Sequence, residues 1–553
     1  MAIKIKEKEF RLTKITLMDF KMIEMDRVLT NLFARIYHNG AESKLSRSSK
    51  DPNTVAKFLA QFLEDGDAFR GFNDKNHPEI VERWIETHLL DLVNRGKPRQ
   101  AVAAPRPLHG FTYRFRNTKH CRDYGASAMI YELLAHARNN VGVEALKQLK
   151  QYFFKGVDPS TGQLSVDRSV DVEAQALLNS LNSEAVREDV PQKDSRNPHQ
   201  PVCIGSADLL ANDLIRLMRY KEVIPRTVMV DYLKILLAFH LGLYHLRLLK
   251  LLPRLIEKKG KEPICEWHRC PVKPAEKDPF GDCPHRIGLF LDVRGRPETW
   301  AAELAKRSAD AHYRRIPGYI KAAFLARKLD EMGGFLQKTG KPPGGNRKSL
   351  SLREVLGLLG SEFKTDREQF FQTRIQNIVE DASGDDALDP ELQAVFDLQL
   401  DPMETYIECL AVVRGDYHRK FITNFLDATL LKNRAGALVA QTRARGSPRR
   451  FVLDTRLLEV LLQLAVLEVR DGKLQTREIR VDDLLDFLRH RYGLHIDRLP
   501  TGDGFGEPSI RDSEALRSNR EAFKEKLRDI GFFRDLSDAY ITQNVSPRYR
   551  IQA

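Results

Sequence analysis

Apolar residues recur at three- and four-residue intervals through most of the chain, the period that lines one face of an α-helix. Ile23, Val28, Leu29, Leu32, Phe33 and Ile36 set the first such stripe. The same spacing predicts helices at 55–63 and 78–93, from 127 to 154, and from 207 to 252 with a break near Pro225. Two more are expected between 297 and 332, punctuated at Pro317-Gly318, followed by 352–359, 366–380, 390–398 and 402–431. Period-two alternation is rare. It occurs at Ile3-Lys4-Ile5-Lys6 and over 110–116, where Phe111, Tyr113 and Phe115 alternate with Thr112, Arg114 and Arg116. Each reads as a short strand. The expectation is a mainly α, multi-domain protein with few short strands.

Polar or Pro/Gly-rich stretches interrupt the pattern at 40–53, 95–110, 184–201, 338–348 and 381–389, with a basic linker, QTRARGSPRR, at 441–450. They divide the 553 residues into segments 1–183, 202–337, 349–440 and 451–553, a domain count in keeping with the length. No repeat of fixed period emerges. The most apolar stretch, 228–252, carries Asp231, Lys234, His240, His245, Arg247 and Lys250. A bilayer core penalises such charges heavily, so this stretch reads as a core helix and not a membrane span. His240 and His245, five residues apart, point in different directions on that helix and read as core histidines. The N-terminus, MAIKIKEKEF, lacks the apolar run of a secretory signal, and six cysteines in 553 residues, most of them unpaired in sequence, suit a reducing compartment. A cytoplasmic protein without membrane partners is expected.

Net charge changes the picture. At +13, with a pI of 9.3, the chain should attract polyanions, nucleic acid first. Two basic segments stand out. In the first, Arg114, Arg116, Lys119 and Arg122 interleave with aromatic residues, so that a strand would put rings on one face and guanidinium groups on the other. The alternative is a half-buried strand with its aromatics in the core and its arginines solvated. The second lies in 451–553, where helices are expected at 457–467, 481–492 and 518–530. Ser518-x-x-Glu521 has the form of a capping box opening the third, and Arg520, Lys524 and Arg528 recur every four residues along it. A segment 540–551 with Arg548 and Arg550 then reads as a strand hairpin or wing. Three helices and a basic wing outline a winged-helix-like module, although 25 residues between the second and third helices exceed the usual turn. Such modules contact DNA or dock proteins.

Three cysteines fall close together in Cys265-Glu-Trp-His268-Arg-Cys270, with Cys283-Pro-His285 twelve residues on. Thiolates and imidazoles at short paired spacings are what a tetrahedral zinc ion needs. Cys265, Cys270, Cys283 and His285 form the expected set, with His268 able to replace one member. A closed four-ligand set has a structural use, since it leaves no open position for chemistry.

Catalytic motifs fail. Gly334 to Lys341 has five residues between its glycines and Pro342 where a phosphate-binding loop carries Ser or Thr. Arg307-Ser-Ala-Asp-Ala-His312 has the R-x4-H form that resembles the active-site motif of HEPN-type ribonucleases, but an exposed helix face explains it as well. The acidic pairs Asp385-Asp386 and Asp482-Asp483 read as solvated charge.

Near the C-terminus, Arg491-Tyr-Gly-Leu-His-Ile-Asp497, Leu527-Arg-Asp-Ile-Gly-Phe-Phe-Arg-Asp-Leu-Ser-Asp-Ala539 and Pro547-Arg-Tyr549 resemble the ends of proteins from bacterial anti-phage defence loci. The similarity is to an accessory component of the methylation-associated defence system and covers roughly the last hundred residues, with no catalytic motif attached. It implies a cytoplasmic protein that acts with other defence subunits on DNA. The resulting expectation is a non-catalytic subunit that engages nucleic acid or serves as a scaffold. A nuclease with a centre assembled from distant residues, and a protein-docking adaptor or transcriptional regulator, are the alternatives.

Overall fold

A computed structural model describes residues 9–45, 54–64, 76–157, 189–192, 199–266, 268–340, 349–382, 389–444, 446–470, 472–534 and 544–551, with 7, 173–174, 177 and 196. The alternating residues 3–6 lie outside them. Helices dominate. The amphipathic stripes become α1 (Met25–Tyr37), α2 (Val55–Glu64), α3 (Pro78–Trp84), α4 (Ala126–His136) and α5 (Val141–Phe153), then α6 (Ile204–Met218) and α7 (Arg226–Glu257). Further along are α8 (Trp300–Tyr313), α9 (Ile316–Lys338), α10 (Leu352–Gly357), α11 (Lys364–Ala382), α12 (Pro390–Asp397) and α13 (Pro402–Thr429). The last three are α14 (Thr455–Ala465), α15 (Val481–Tyr492) and α16 (Ile510–Asp529).

The apolar α7 is the spine. It is 32 residues long and is long and apolar enough to cross a membrane, but 94% of its most apolar window is buried inside the protein. Its histidines are satisfied within the core. His240 meets Asp213 of α6 at 3.0 Å, and His245 meets the Leu241 carbonyl at 2.8 Å and Thr16 at 3.2 Å. Pro317 does not separate α8 from α9; it occupies the first turn of α9, where a missing amide hydrogen costs nothing.

The strands are short and join distant parts of the chain. β1 (Glu42–Leu45) pairs with β4 (Asp189–Gln192), β2 (Leu90–Val93) with β3 (Ala101–Pro105), and β5 (Leu289–Phe290) runs parallel to β11 (Leu494–His495). β6 (Val439–Gln441) pairs with β7 (Arg449–Phe451) and β8 (Leu467–Arg470) with β9 (Lys473–Thr476), while β10 (Ile479–Arg480), β13 (Asn544–Val545) and β12 (Phe533–Arg534) form a three-stranded sheet.

Several expectations are corrected here. Residues 110–116 are no strand: Gly110–Phe115 forms a 3₁₀ turn. His109 accepts from the Phe111 amide and receives the Thr112 hydroxyl, so local bonds take the place of ladder bonds. The polar stretches at 40–53, 95–110 and 184–201 each supply a strand. The basic 441–450 segment is the turn of the β6–β7 hairpin and not a linker. The capping box of the last long helix is Ser509 with Asp512, and Ser518 lies in mid-helix. Among the described residues the winged-helix outline is not shown: a β8–β9 hairpin separates α14 from α15, α16 packs against α8, and part of the expected wing, 540–543, lies outside them.

One hydrophobic cluster takes in residues from Phe10 to Val545, and a second, small one gathers Phe290, Leu304 and Phe505. Hydrogen bonds also cross residue 450, because Asn519 of α16 donates to the Leu291 and Ile496 carbonyls at 2.9 and 2.8 Å.

Candidate nucleic-acid interface

Where α8 ends and α9 begins, both face the C-terminal half of α13 and the β6–β7 turn across a cleft of about 710 Å³. Helical periodicity places Asp416, Arg419, Lys420, Thr423 and Asn424 on one face of α13, all of them lining the cleft. Opposite stand Asp310, Tyr313 and Arg314, and Ser447, Pro448 and Arg449 of the hairpin close the end. One buried carboxylate fixes this wall. Asp427 accepts both forks of Arg449 at 2.8 Å, Lys432 at 2.6 Å and the Tyr313 hydroxyl at 3.1 Å. Burial would raise its pKa, but the Arg449 and Lys432 bonds overcome that and hold it below the ordinary value.

The cations on the rim are different. Arg314, Arg419 and Lys420 are exposed, and among the described residues none of them has an ion pair or side-chain hydrogen bond. One turn before Lys420 on α13, outside the cleft lining, Tyr417 is 52% exposed, with Arg414 over its ring at 5.5 Å and Phe421 at 4.5 Å. Free guanidinium and ammonium groups beside an exposed aromatic ring suit phosphate contact and base stacking. Asp310 and Asp416 temper the charge, which sums to +2 with Arg314, Arg419, Lys420 and Arg449.

The basic residues singled out from sequence are placed less openly. Arg116 is 5% exposed and donates to the Tyr113 carbonyl at 2.8 Å and the Ser43 carbonyl at 3.0 Å. Arg114 is half-buried over Phe111 and Tyr37. Lys119 and Arg122 are exposed. On α16, Arg520 pairs with Asp482 at 2.5 Å, Lys524 with Glu521 at 2.8 Å, and Arg528 stacks on Phe533 at 4.9 Å. Arg548 is exposed beside Tyr549. The cleft cations were missed, although the doublets Arg314-Arg315 and Arg419-Lys420 and the polar stripe on α13 were visible.

The R-x4-H pair is not an open site. His312 is fully buried, within 3.0 Å of the Gly288 carbonyl and 2.9 Å of Arg315. Burial, with Arg315 beside it, pushes its pKa down to about 4. Arg307 donates to the Gly504 carbonyl and stacks on Phe505. Of the failed phosphate-loop segment, Gly334 to Lys338 belong to α9, while Lys341 and Pro342 lie outside the described residues.

Among the described residues, no three His, Cys, Asp or Glu side chains are gathered tightly enough to hold a metal ion as they stand. Cys265, Cys270 and Cys283 are nonetheless neighbours, half-buried and free of disulfides. Burial keeps their thiols protonated, pushing Cys270 up to about 11 and the other two upward. His285 is buried, and its Nε2 has no hydrogen-bond partner. The sequence pattern left out Cys203, at the N-cap of α6, whose thiol lies within electrostatic range of the other three.

No curated protein and no solved structure matches the chain. A comparison with protein families matches residues 5–549, far more than the C-terminal hundred that carried the resemblance. Covering nearly every residue of this helical chain, that match shows that the protein belongs to the family described as methylation-associated defense system protein MAD7.

Proposed function

We propose that the chain is a non-catalytic subunit of a methylation-associated defence system that engages the phosphate backbone of nucleic acid, DNA first, and works with other subunits of that system. The observation that carries this reading is the cleft rim, where Arg314, Arg419 and Lys420 stand exposed with no ion pair among the described residues, and where Tyr417, one turn before Lys420 on α13, exposes its ring. Most other basic side chains considered for this role are stacked, buried or paired within the chain. The +13 net charge supplies long-range attraction, and the cleft gives it a place to act.

The test is binding of the purified chain to duplex DNA, single-stranded DNA and RNA over a salt series. Replacing the three cations by glutamine removes up to three phosphate contacts. The slope of log Kobs against log salt should fall by about 2.7 for duplex DNA, or about 2 for a single strand. An unchanged slope removes the cleft from the interface, and absence of binding at low salt leaves a scaffold. Cleavage of any of these nucleic acids with magnesium or manganese present would replace the reading with the nuclease.

A further inference from the structure

The loop 261–288 is held against the first turn of α6 by contacts that no hydrophobic argument requires. Arg138 donates to the Cys270 carbonyl at 3.0 Å and the Val272 carbonyl at 2.7 Å while paired with Asp208 of α6 at 2.7 Å. Gly205 is so close to Val272 that a Cβ there would lie 2.4 Å from its side chain. The Ser206 hydroxyl sits 3.3 Å from the Cys203 sulfur and accepts from Arg247. Arg247 in turn lies over Phe280 at 4.1 Å, three residues before Cys283. Val272 and His285 each follow a cysteine, Cys270 and Cys283, by two residues. An amide two residues after a cysteine is well placed to stabilise a thiolate.

A second observation is independent of the cysteines. Arg247 is 2% exposed, has no carboxylate partner among the described residues, and its Nε finds no acceptor. A buried guanidinium needs an anion.

We propose that Cys203, Cys265, Cys270 and Cys283 form a four-thiolate zinc site, with Cys203 in the place that the sequence pattern gave to His285. Zinc displaces four thiol protons to solvent, and the resulting zinc tetrathiolate carries a charge of −2. Arg247, which has no carboxylate partner among the described residues and whose charge acts on Cys283, then has its counter-charge. Binding requires the sulfurs to close in from their present separation. Among its described residues the loop 261–288 holds one 3₁₀ turn, Pro263–Cys265, and no long helix or strand that closure would break. His285, whose buried Nε2 has no hydrogen-bond partner, is the competing fourth ligand, and the variants Cys203→Ser and His285→Ala separate the two.

The experiment is elemental analysis of the full chain purified from zinc-supplemented medium without chelators, with zinc-edge X-ray absorption on the same sample. The expected result is about one zinc per chain with sulfur-only coordination. Zinc should be lost in Cys203→Ser and kept in His285→Ala. A wild-type chain without zinc, or a nitrogen ligand that disappears in His285→Ala while Cys203→Ser keeps its metal, overturns the proposal. The wild-type spectrum decides by itself if Cys203→Ser fails to fold.

Discussion

Replacing Asp213 with asparagine keeps the shape of the side chain and removes one charge from the centre of the protein. Asp213 is fully buried on α6. One carboxylate oxygen accepts Arg491 Nε at 2.9 Å and a second, shorter bond from the same guanidinium. The other accepts His240 Nε2 at 3.0 Å and the Tyr492 hydroxyl at 2.8 Å. Three helices, α6, α7 and α15, are tied through this one group. Arg491 is 4% exposed, and its remaining bonds, to the Pro274 carbonyl and Asn212, are to neutral acceptors. Stranding that cation should cost about 3–5 kcal/mol.

The pH dependence gives a second, independent number. Burial would push the Asp213 carboxyl up, but Arg491 and His240 hold it at about 2, against an ordinary 3.8. A carboxyl depressed in the folded state stabilises above its unfolded pKa, and the benefit fades as pH falls from about 4 towards 2, by about 2–3 kcal/mol. Urea unfolding followed by tryptophan fluorescence and circular dichroism, at neutral pH and through the acid range, measures both. Asp213→Asn should unfold at lower urea at pH 7 and show a flatter acid limb than the wild type. Adding Arg491→Met should recover part of the loss. A neutral-pH cost below about 1 kcal/mol, or acid limbs of equal slope, would refute the reasoning.

Other outcomes follow from the same geometry. Arg520, Lys524 and Arg528 changed together to alanine should alter the salt slope of nucleic-acid binding less than the cleft triple, since each already has a partner in the chain; a larger change would return the interface to α16. Asp427→Asn should weaken binding while leaving Arg314, Arg419 and Lys420 in place, because it releases Arg449 and Lys432; hydrogen exchange across 432–451 should rise, and unchanged exchange would sink this role. Gly493, at φ +76°, ends α15 where a Cβ would lie 1.9 Å from the Ile287 carbonyl. Gly493→Ala should therefore cost about 1–3 kcal/mol in urea unfolding, and a neutral substitution would contradict the contact.

Helix content and most helix positions were legible in the chain, because a stripe of buried leucine, isoleucine and phenylalanine repeats at the helical period whatever it packs against. The core character of α7 was equally plain, since its charged and imidazole groups are costly in lipid and find partners inside the protein. What the sequence hid is where side chains from distant positions meet. Residues 110–116 alternate like a strand, yet bonds local to His109 and Thr112 turn the backbone instead. Arg116 looks like a phosphate ligand until Ser43, 73 residues earlier, takes its guanidinium. Arg520 and Lys524 form a basic stripe along their own helix, but tertiary contact and a near neighbour supply Asp482 and Glu521 to pair them. The cations at 314, 419 and 420 are ordinary in the sequence and become notable only because packing leaves them unpaired around one cleft. Cys203 is a lone cysteine until α6 brings it to the 265–283 loop. Periodicity is a local property and is written in the order of residues, whereas ion pairing and burial depend on which neighbours the fold delivers.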